Sequence, residues 1–184
     1  MVSIAVVYHS GYGHTQRQAQ ALADGAAARL VAIDADGNLP AAGWDELAAA
    51  DGIVFGAPTY MGGPSWQFKR FADASSKAWY AQAWKDKVFG GFTSSSSPAG
   101  DKAGTLDYFF TLAMQHGGLW VGNGMMPSNS KTAQREDPNW HGLWRGAVAT
   151  TAIDASSGEM SSADLEMARQ YGERLAQLTA RLAR

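Results

Sequence analysis

The chain of 184 residues contains no cysteine. This absence excludes disulfide bonds, thiolate metal sites, thiol nucleophiles and cofactors attached through cysteine. Any redox chemistry must therefore come from a cofactor that binds without a covalent bond. Asp34 and Asp36 lie together at the end of a predicted strand but lack a third carboxylate. We expect turn chemistry there and no metal site.

Long hydrophobic runs and an excess of positive charge are also missing. No apolar run approaches the roughly 18 residues that a membrane-spanning helix needs. No basic leader-like segment precedes the first predicted strand. The formal net charge of −2 gives no basic footprint for a polyanion. We therefore expect a cytoplasmic protein whose partners are neither a membrane nor a nucleic acid.

The composition that remains is typical of a globular domain. The apolar fraction is 46% and the charged fraction is 17%, which are ordinary values for a folded chain. The length suits one domain with a buried core, so we expect a single domain over residues 1–184. The 21 glycines and seven tryptophans indicate loops lined by backbone and surfaces rich in aromatic rings.

Segments with strand and helix periodicity alternate along the chain. Strands are predicted at 2–8, 30–33, 52–57, 87–93 and 119–122, helices at 15–29, 44–50, 64–76, 102–116 and 162–184, and no clear period at 123–147. This alternation implies right-handed crossovers and a parallel sheet covered on both faces. The predicted fold class is an α/β flavodoxin-like three-layer sandwich, with a five-stranded parallel sheet of order 2-1-3-4-5.

Three loops of this fold are candidates for a ligand site. In such sheets ligands bind outside the carboxyl ends of the strands, where the strand order reverses. That rule selects loops 10–15, 58–63 and 94–101, which are all rich in Gly, Ser, Thr or Pro. The candidate cofactor-binding residues are Ser10, Gly11, Tyr12, Gly13, His14, Thr15, Pro58, Thr59, Tyr60, Met61, Gly62, Thr93, Ser94, Ser95, Ser96, Ser97 and Gly100.

Loop 10–15 is typical of a phosphate site that has no cation. It lacks the lysine of a P-loop and the third glycine of a Rossmann fingerprint. Hydroxyls and backbone N–H groups remain at the start of a helix, and these bind a terminal phosphate with help from the helix dipole. The missing lysine disfavours phosphoryl transfer. We expect the phosphate of a flavin, and the alternative is a plain helix start with a Ser/Thr cap.

The other two loops offer contacts for a planar ring system. Thr59, Tyr60 and the N–H groups after them suit the polar edge of the ring, with Tyr60 or Met61 packed against it. Loop 94–101 lines the other side, although an ordinary βα connection is the alternative for either loop. His116 follows a predicted helix. It is either a proton donor or hydrogen-bond partner near the flavin or substrate, or a helix-terminal residue.

Four stretches in these regions carry a resemblance to a known family. They are Tyr8-His9-Ser10-Gly11-Tyr12-Gly13-His14-Thr15, Gly56-Ala57-Pro58-Thr59-Tyr60-Met61-Gly62, Phe92-Thr93-Ser94 with Gly100, and Gln115-His116-Gly117. In the same order they resemble motifs of the WrbA-type NAD(P)H:quinone oxidoreductases, the tryptophan-repressor-binding-protein branch of the flavodoxin-like superfamily. The resemblance spans nearly the whole chain. Tyr60 stands where that family has arginine, and the Trp-rich stretch 140–144 has no clear counterpart there.

The resemblance implies FMN as the cofactor and a homodimer or homotetramer as the assembly. The implied contacts are the FMN phosphate on residues 10–15, the ring on residues 59–61, and residues 95–100 closed over it. His116 is implied to lie beside the ring and Trp79 at the mouth of the site. Tyr12 matches a position associated with the nicotinamide cofactor.

We therefore expect an FMN-dependent oxidoreductase that transfers two electrons from NADPH or NADH to a quinone or a related acceptor, in ping-pong order. Tyr60 and His116 are the candidate catalytic residues, and Trp79 and Tyr12 the candidate substrate contacts. One alternative is a one-electron carrier of the flavodoxin type, although a net charge of −2 is weak for docking by charge. Another is an FMN-binding interaction module without turnover. An FMN reductase or azoreductase with a non-quinone acceptor is not separated from the leading hypothesis.

Overall fold

A largely parallel β-sheet lies between two layers of helices in the computed structural model, which describes residues 2–182. The strands are β1 (Ile4–Tyr8), β2 (Arg29–Ala32), β3 (Gly52–Tyr60), β4 (Gly63–Pro64), β5 (Val88–Ser95), β6 (Leu119–Trp120) and β7 (Ala147–Thr150). The helices are α1 (His14–Ala26), α2 (Ala41–Ala49), α3 (Trp66–Ala74), α4 (Ser76–Tyr80), α5 (Lys102–Gln115) and α6 (Ser162–Leu182), with a 3₁₀ turn at Ser157–Glu159.

The sheet has the order β2-β1-β3-β5-β6, and all of these neighbours are parallel. This confirms the flavodoxin-like fold class. The predicted count of five strands was too low, because β4 adds to β3 and β7 adds to β5. The fifth position is divided between two short strands. β6 pairs with Val88 and Phe89 at the start of β5, and β7 pairs with residues 92–95 at its end.

The apolar residues of β1 reach both faces of the sheet. Ala5 and Val7 belong to the cluster under α3 and α5, and Ile4, Val6 and Tyr8 belong to the cluster under α1 and α6. Successive side chains of a strand point to opposite faces. A strand covered by helices on both sides must therefore be apolar without interruption, as this one is in the sequence.

Helices α1 and α6 pack so closely that backbone touches backbone. A Cβ added to Gly25 would lie 1.9 Å from the carbonyl oxygen of Arg169, and one added to Gly172 would lie 2.1 Å from that of Leu22. Only glycine fits at such an approach. The contact fixes α1, whose N-terminus lies at the carboxyl edge of the sheet.

Several predicted boundaries differ from the structure. α1 ends at Ala26 and not at residue 29, because Ala27 takes a left-handed φ of 50° and its N–H donates to the carbonyl of Ala23. β3 continues through Pro58 to Tyr60, so this part of the predicted loop is strand. The predicted connector from residue 79 begins inside α4. The last two residues of the predicted C-terminal helix, 183–184, lie outside the described residues.

Candidate functional site

A cavity of about 1120 Å³ opens at the carboxyl ends of the strands. It is bounded by the three predicted loops and by a fourth, residues 151–156, which follows β7. The lining consists of Gly11, Tyr12, His14, Thr15, Pro58, Thr59, Tyr60, Met61, Gly62, Ser94, Ser95, Ser96, Ser97, Gly100, Asp101, Thr151, Ala152, Ile153, Asp154, Ala155 and Ser156. The structure thus brings together most of the predicted cofactor-binding residues at one site.

Loop 10–15 presents free backbone donors at the N-terminus of α1. The Ser10 hydroxyl oxygen accepts hydrogen bonds from the N–H groups of Gly13 and of Gln16, both at 3.1 Å, so Ser10 shapes the loop from behind. The N–H groups of Tyr12, His14 and Thr15 have no acceptor within residues 2–182. These donors lie at the positive end of the helix dipole. They fit the oxygens of a phosphate monoester.

The second loop is a tight β-hairpin. Thr59 pairs with Pro64 and Tyr60 with Gly63, which leaves Met61 and Gly62 as the two turn residues. Their φ angles are 50° and 81°, and two positive φ angles are what a type I′ turn requires. Met61 is fully exposed at the rim of the cavity. The hairpin therefore projects its tip beyond the sheet edge.

Tyr60 connects the hairpin to loop 10–15. A Cβ added to Gly11 would lie 2.8 Å from the Tyr60 hydroxyl oxygen, so the absence of a side chain at Gly11 admits the phenol. Burial raises the pKa of Tyr60, and nearby Tyr12 raises it further. The hydroxyl is consequently protonated at neutral pH and is available as a hydrogen-bond donor.

The side chains of Thr59 and Thr93 join a buried chain of hydroxyl groups. Thr59 Oγ1 lies 2.8 Å from Oγ1 of Thr93 and 2.8 Å from Oγ1 of Thr105, and Thr93 donates to the carbonyl of Ala57 at 2.7 Å. Thr93 is fully buried and does not line the cavity. Its predicted cofactor contact is corrected, because its hydroxyl holds β5 to β3 beneath the cavity floor.

Loop 94–101 is held from below by a buried lysine that the sequence analysis missed. Lys102 Nζ donates to the carbonyl oxygens of Ser97 at 2.6 Å and Pro98 at 3.0 Å. Burial lowers the pKa of Lys102 to about 8. The Ser94 hydroxyl lies 3.2 Å from that of Thr15. Loops 94–101 and 10–15 are therefore tied to each other and to α5.

The fourth wall of the cavity, residues 151–156, was not predicted. His14 Nε2 donates to the carbonyl of Ala155 at 3.0 Å, which links this wall to α1. The Ser156 hydroxyl and the Glu159 carboxylate cap the following 3₁₀ turn. The signal in the sequence was the short apolar run 147–149 followed by a polar loop, which is the same pattern as at the other three loops.

The irregular segment 121–146 anchors this wall to α6. The guanidinium of Arg135 pairs with the buried carboxylate of Asp164 at 2.6 Å, and Asp164 also accepts the N–H of Thr150 at 2.8 Å. His141 Nε2 lies 2.7 Å from the Thr150 hydroxyl. Burial lowers the pKa of His141 to about 4. The Trp-rich segment thus fixes the end of β7, from which the fourth wall starts.

His116 is not brought to the cavity. α5 leads away from the cavity for 14 residues, which is about 21 Å of helix, and the carbonyl next to it, that of Gly117, accepts the N–H of Asp86 ahead of β5. The His116 ring packs against Trp84 in a tilted arrangement with 4.3 Å between the ring centroids, and Nε2 lies 3.0 Å from the Ser75 hydroxyl. Its predicted place beside the cofactor is corrected to a buried packing position at the opposite sheet edge.

Three other predicted residues do not line the cavity of this chain. Trp79 lies half exposed on α4, and Ser10 and Gly13 lie behind the surface that they shape. Across residues 2–182, no three His, Asp or Glu side chains are grouped so as to hold a metal ion. No helix of the described chain combines the length and apolarity needed to cross a membrane.

Comparisons with known proteins identify a family and two relatives of similar length. The family described as NADPH-dependent FMN reductase matches residues 34–132. Flavodoxin FldP from Pseudomonas aeruginosa is 51% identical over 178 residues, which are 97% of each chain. An NAD(P)H dehydrogenase (quinone) from Geobacter sulfurreducens is 32% identical over 207 residues, covering 98% of this chain and 99% of that protein.

Solved structures share the fold. The crystal structure of the flavodoxin, WrbA-like protein from Agrobacterium tumefaciens is 52% identical with a TM-score of 0.83, and covers 98% of this chain and 99% of that one. A flavodoxin from the domain Archaea is 16% identical with a TM-score of 0.61 over 97% of this chain and 99% of that one, a likeness of fold alone. The chain therefore belongs to the NADPH-dependent FMN reductase family of flavodoxin-like proteins.

Proposed function

We propose that the chain binds FMN in the cavity and catalyses the two-electron reduction of quinones or related acceptors by NADPH or NADH. The observation that carries this proposal is the row of free N–H donors at Tyr12, His14 and Thr15, facing a wide cavity at the switch point of the sheet. Bound FMN would supply a ring that accepts two electrons from a nicotinamide and passes them to an acceptor.

Each loop of the cavity has its own role in the proposed reaction. Loop 10–15 holds the phosphate through backbone donors. The hairpin at Met61 and the serines of loop 94–101 line the part of the cavity where the planar ring would lie. Tyr60 donates a hydrogen bond from its protonated hydroxyl to the acceptor oxygen. Tyr12, largely exposed at the mouth, offers an aromatic face on which a nicotinamide or quinone stacks.

The size of the cavity supports an enzyme that handles two molecules at once. Pockets for a single ligand measure about 300–1000 Å³, and this cavity of about 1120 Å³ exceeds that range. We propose that this volume accommodates a second planar molecule beside a bound flavin. An electron carrier needs only an exposed edge of its cofactor, whereas a reductase needs this additional space.

The test is to purify the protein, record the flavin absorbance, and follow the oxidation of NADPH and NADH with benzoquinone as acceptor. We expect bound or added FMN to give a flavin spectrum, and turnover without any partner protein. Tyr60→Phe should lower kcat with little change in the FMN dissociation constant. A colourless protein that takes up no added FMN contradicts the proposal.

A one-electron carrier is the second candidate. It is favoured by the 51% identity to a relative named as a flavodoxin. The discriminating experiment adds a flavodoxin reductase to the holoprotein. If NADPH and NADH reduce the bound flavin only when that reductase is present, the carrier function replaces the reductase function.

A homodimer or homotetramer belongs to the leading proposal. Trp79 lies outside the cavity of its own chain and is half exposed, so in a homo-oligomer it is available to the site of a neighbouring subunit. Light scattering measures the assembly. A monomer that turns over quinone at the full rate contradicts this part of the proposal.

A further inference from the structure

We infer that the cavity discriminates by charge, accepting NADH in preference to NADPH as electron donor and an uncharged quinone in preference to an anionic one. The inference rests on the proposed function and adds the class of donor and acceptor that the site takes.

The charges on the cavity wall carry this inference. Among the described residues that line it, two are carboxylates, Asp101 and Asp154, and none is lysine or arginine. Both carboxylates are exposed. Within residues 2–182, neither carboxylate forms a salt bridge. A molecule that enters the cavity therefore meets free negative charge and no fixed cation.

The cations just behind the wall are already engaged. Lys102 is fully buried and donates to two carbonyl oxygens of loop 94–101. Arg135 is paired with the carboxylate of Asp164. Arg17 is exposed, and its Nη1 donates to the carbonyl of Ser157 at 2.8 Å, one residue beyond the lining. Of these three cations, only Arg17 is exposed.

NADH and NADPH differ in charge, so the charges on the cavity wall affect the binding of the two donors differently. NADPH differs from NADH by a phosphate on the ribose, and sites for that phosphate provide arginine, whereas sites for the free ribose hydroxyl provide a carboxylate. A phosphate held in loop 10–15 adds further negative charge to the cavity. A phosphorylated ribose is therefore repelled, and a sulfonated quinone is repelled for the same reason.

The first experiment titrates the holoprotein with NADH and with NADPH, with the flavin absorbance as readout, and then measures kcat/KM for both donors with benzoquinone. We expect both measurements to favour NADH about fivefold or more at low ionic strength, with the ratio falling as salt screens the charges. An uncharged naphthoquinone should likewise exceed its sulfonate as acceptor.

Matched variants assign the effect to the two carboxylates. Asp101→Asn combined with Asp154→Asn should bring the NADH to NADPH ratio close to one, and asparagine tolerates the left-handed φ of 51° at position 101. Asp24→Asn changes the same charge near the far end of α1, about 15 Å along the helix. This control should leave the ratio unchanged.

Three results on selectivity overturn the inference. They are a kcat/KM for NADPH equal to or above that for NADH, a ratio that the paired Asp→Asn substitutions do not move, and a selective loss of NADPH binding in Arg17→Gln, which would place Arg17 on the phosphate. The binding titration needs no turnover. Selective binding of NADH without turnover therefore refutes only the proposed reaction, while binding of neither nucleotide refutes the inference.

Discussion

At the scale of single residues, Met61 combines an unfavourable backbone conformation with full exposure. Its φ of 50° lies in the left-handed region, where a side chain with a Cβ is strained by about 1 kcal/mol or more. A type I′ turn favours Asn, Asp or Gly at this position and not methionine. Strain that persists at a cavity rim is a sign of function, and under the proposed function the Met61 side chain packs against the cofactor ring.

Met61→Asn should separate the two roles of this residue. Asn-Gly is the preferred pair for a type I′ turn, so we expect the free energy of unfolding of the apoprotein to rise by about 0.5–1 kcal/mol. We also expect weaker FMN binding, because the apolar contact is lost. Urea denaturation and flavin titration measure the two effects. Met126→Asn, another exposed methionine, should change neither, and a destabilised M61N protein would contradict the assignment of the turn.

At the scale of elements, the crossing of α1 and α6 has no room for a methyl group. Gly172→Ala should therefore lower the free energy of unfolding by about 1–3 kcal/mol through overpacking, even though alanine favours helix. Gly63→Ala is the control, since a Cβ there meets nothing within 4 Å. Thermal and urea unfolding of both variants provide the measurement. Equal stability of G172A and the unsubstituted protein would show that the helices move apart freely.

The ion pair between Arg135 of the irregular segment and Asp164 of α6 should contribute substantially to the stability of the fold. Arg135→Met leaves the Asp164 carboxylate buried without its cation, and we expect a loss of about 2–4 kcal/mol in the free energy of unfolding together with faster proteolysis in loop 151–156. Arg145→Met is the matched control, because the Arg145–Asp107 pair is exposed and should contribute under about 1 kcal/mol. Comparable losses in the two variants would argue against the anchoring role.

Strand β7, which follows the irregular segment, shows which parts of the structure could not be predicted from the sequence. Strands β1, β3 and β5 are apolar runs in the sequence, and these runs located the loops that follow them, although β3 continues to Tyr60 and β5 to Ser95, inside the predicted loops. β7 has only four residues and follows a segment rich in proline and tryptophan. Its short apolar run 147–149 is therefore a weak signal, and its pairing with residues 92–95 is what establishes it as strand. His116 was misplaced although the topology was available. A helix that leaves the carboxyl edge of a sheet ends at the opposite edge.

At the scale of the whole molecule, buried neutral histidines make stability depend on pH. Burial lowers the pKa of His116 and of His141 to about 4, below the value of about 6.5 in an unfolded chain. Between these pH values the unfolded state binds more protons. The free energy of unfolding should therefore fall as the pH is lowered from about 6.5 towards 4.

Urea midpoints at pH 7 and pH 5 measure this dependence. His116→Gln keeps a donor for the Ser75 hydroxyl and cannot titrate, so we expect lower stability at pH 7 but a smaller loss between pH 7 and pH 5. An unsubstituted protein that is as stable at pH 5 as at pH 7 would contradict the burial of neutral imidazoles.

The division of the fifth sheet position between β6 and β7 also affects the chain while it is being synthesised. A ribosome delivers β5 about 50 residues before β7, and chains begin to fold from the N-terminal side during synthesis. In that interval residues 92–95 present an unpaired strand edge, which is a template for pairing with other chains. The nascent protein is therefore open to misassociation beside its future cavity until Ala147–Thr150 emerges and covers that edge.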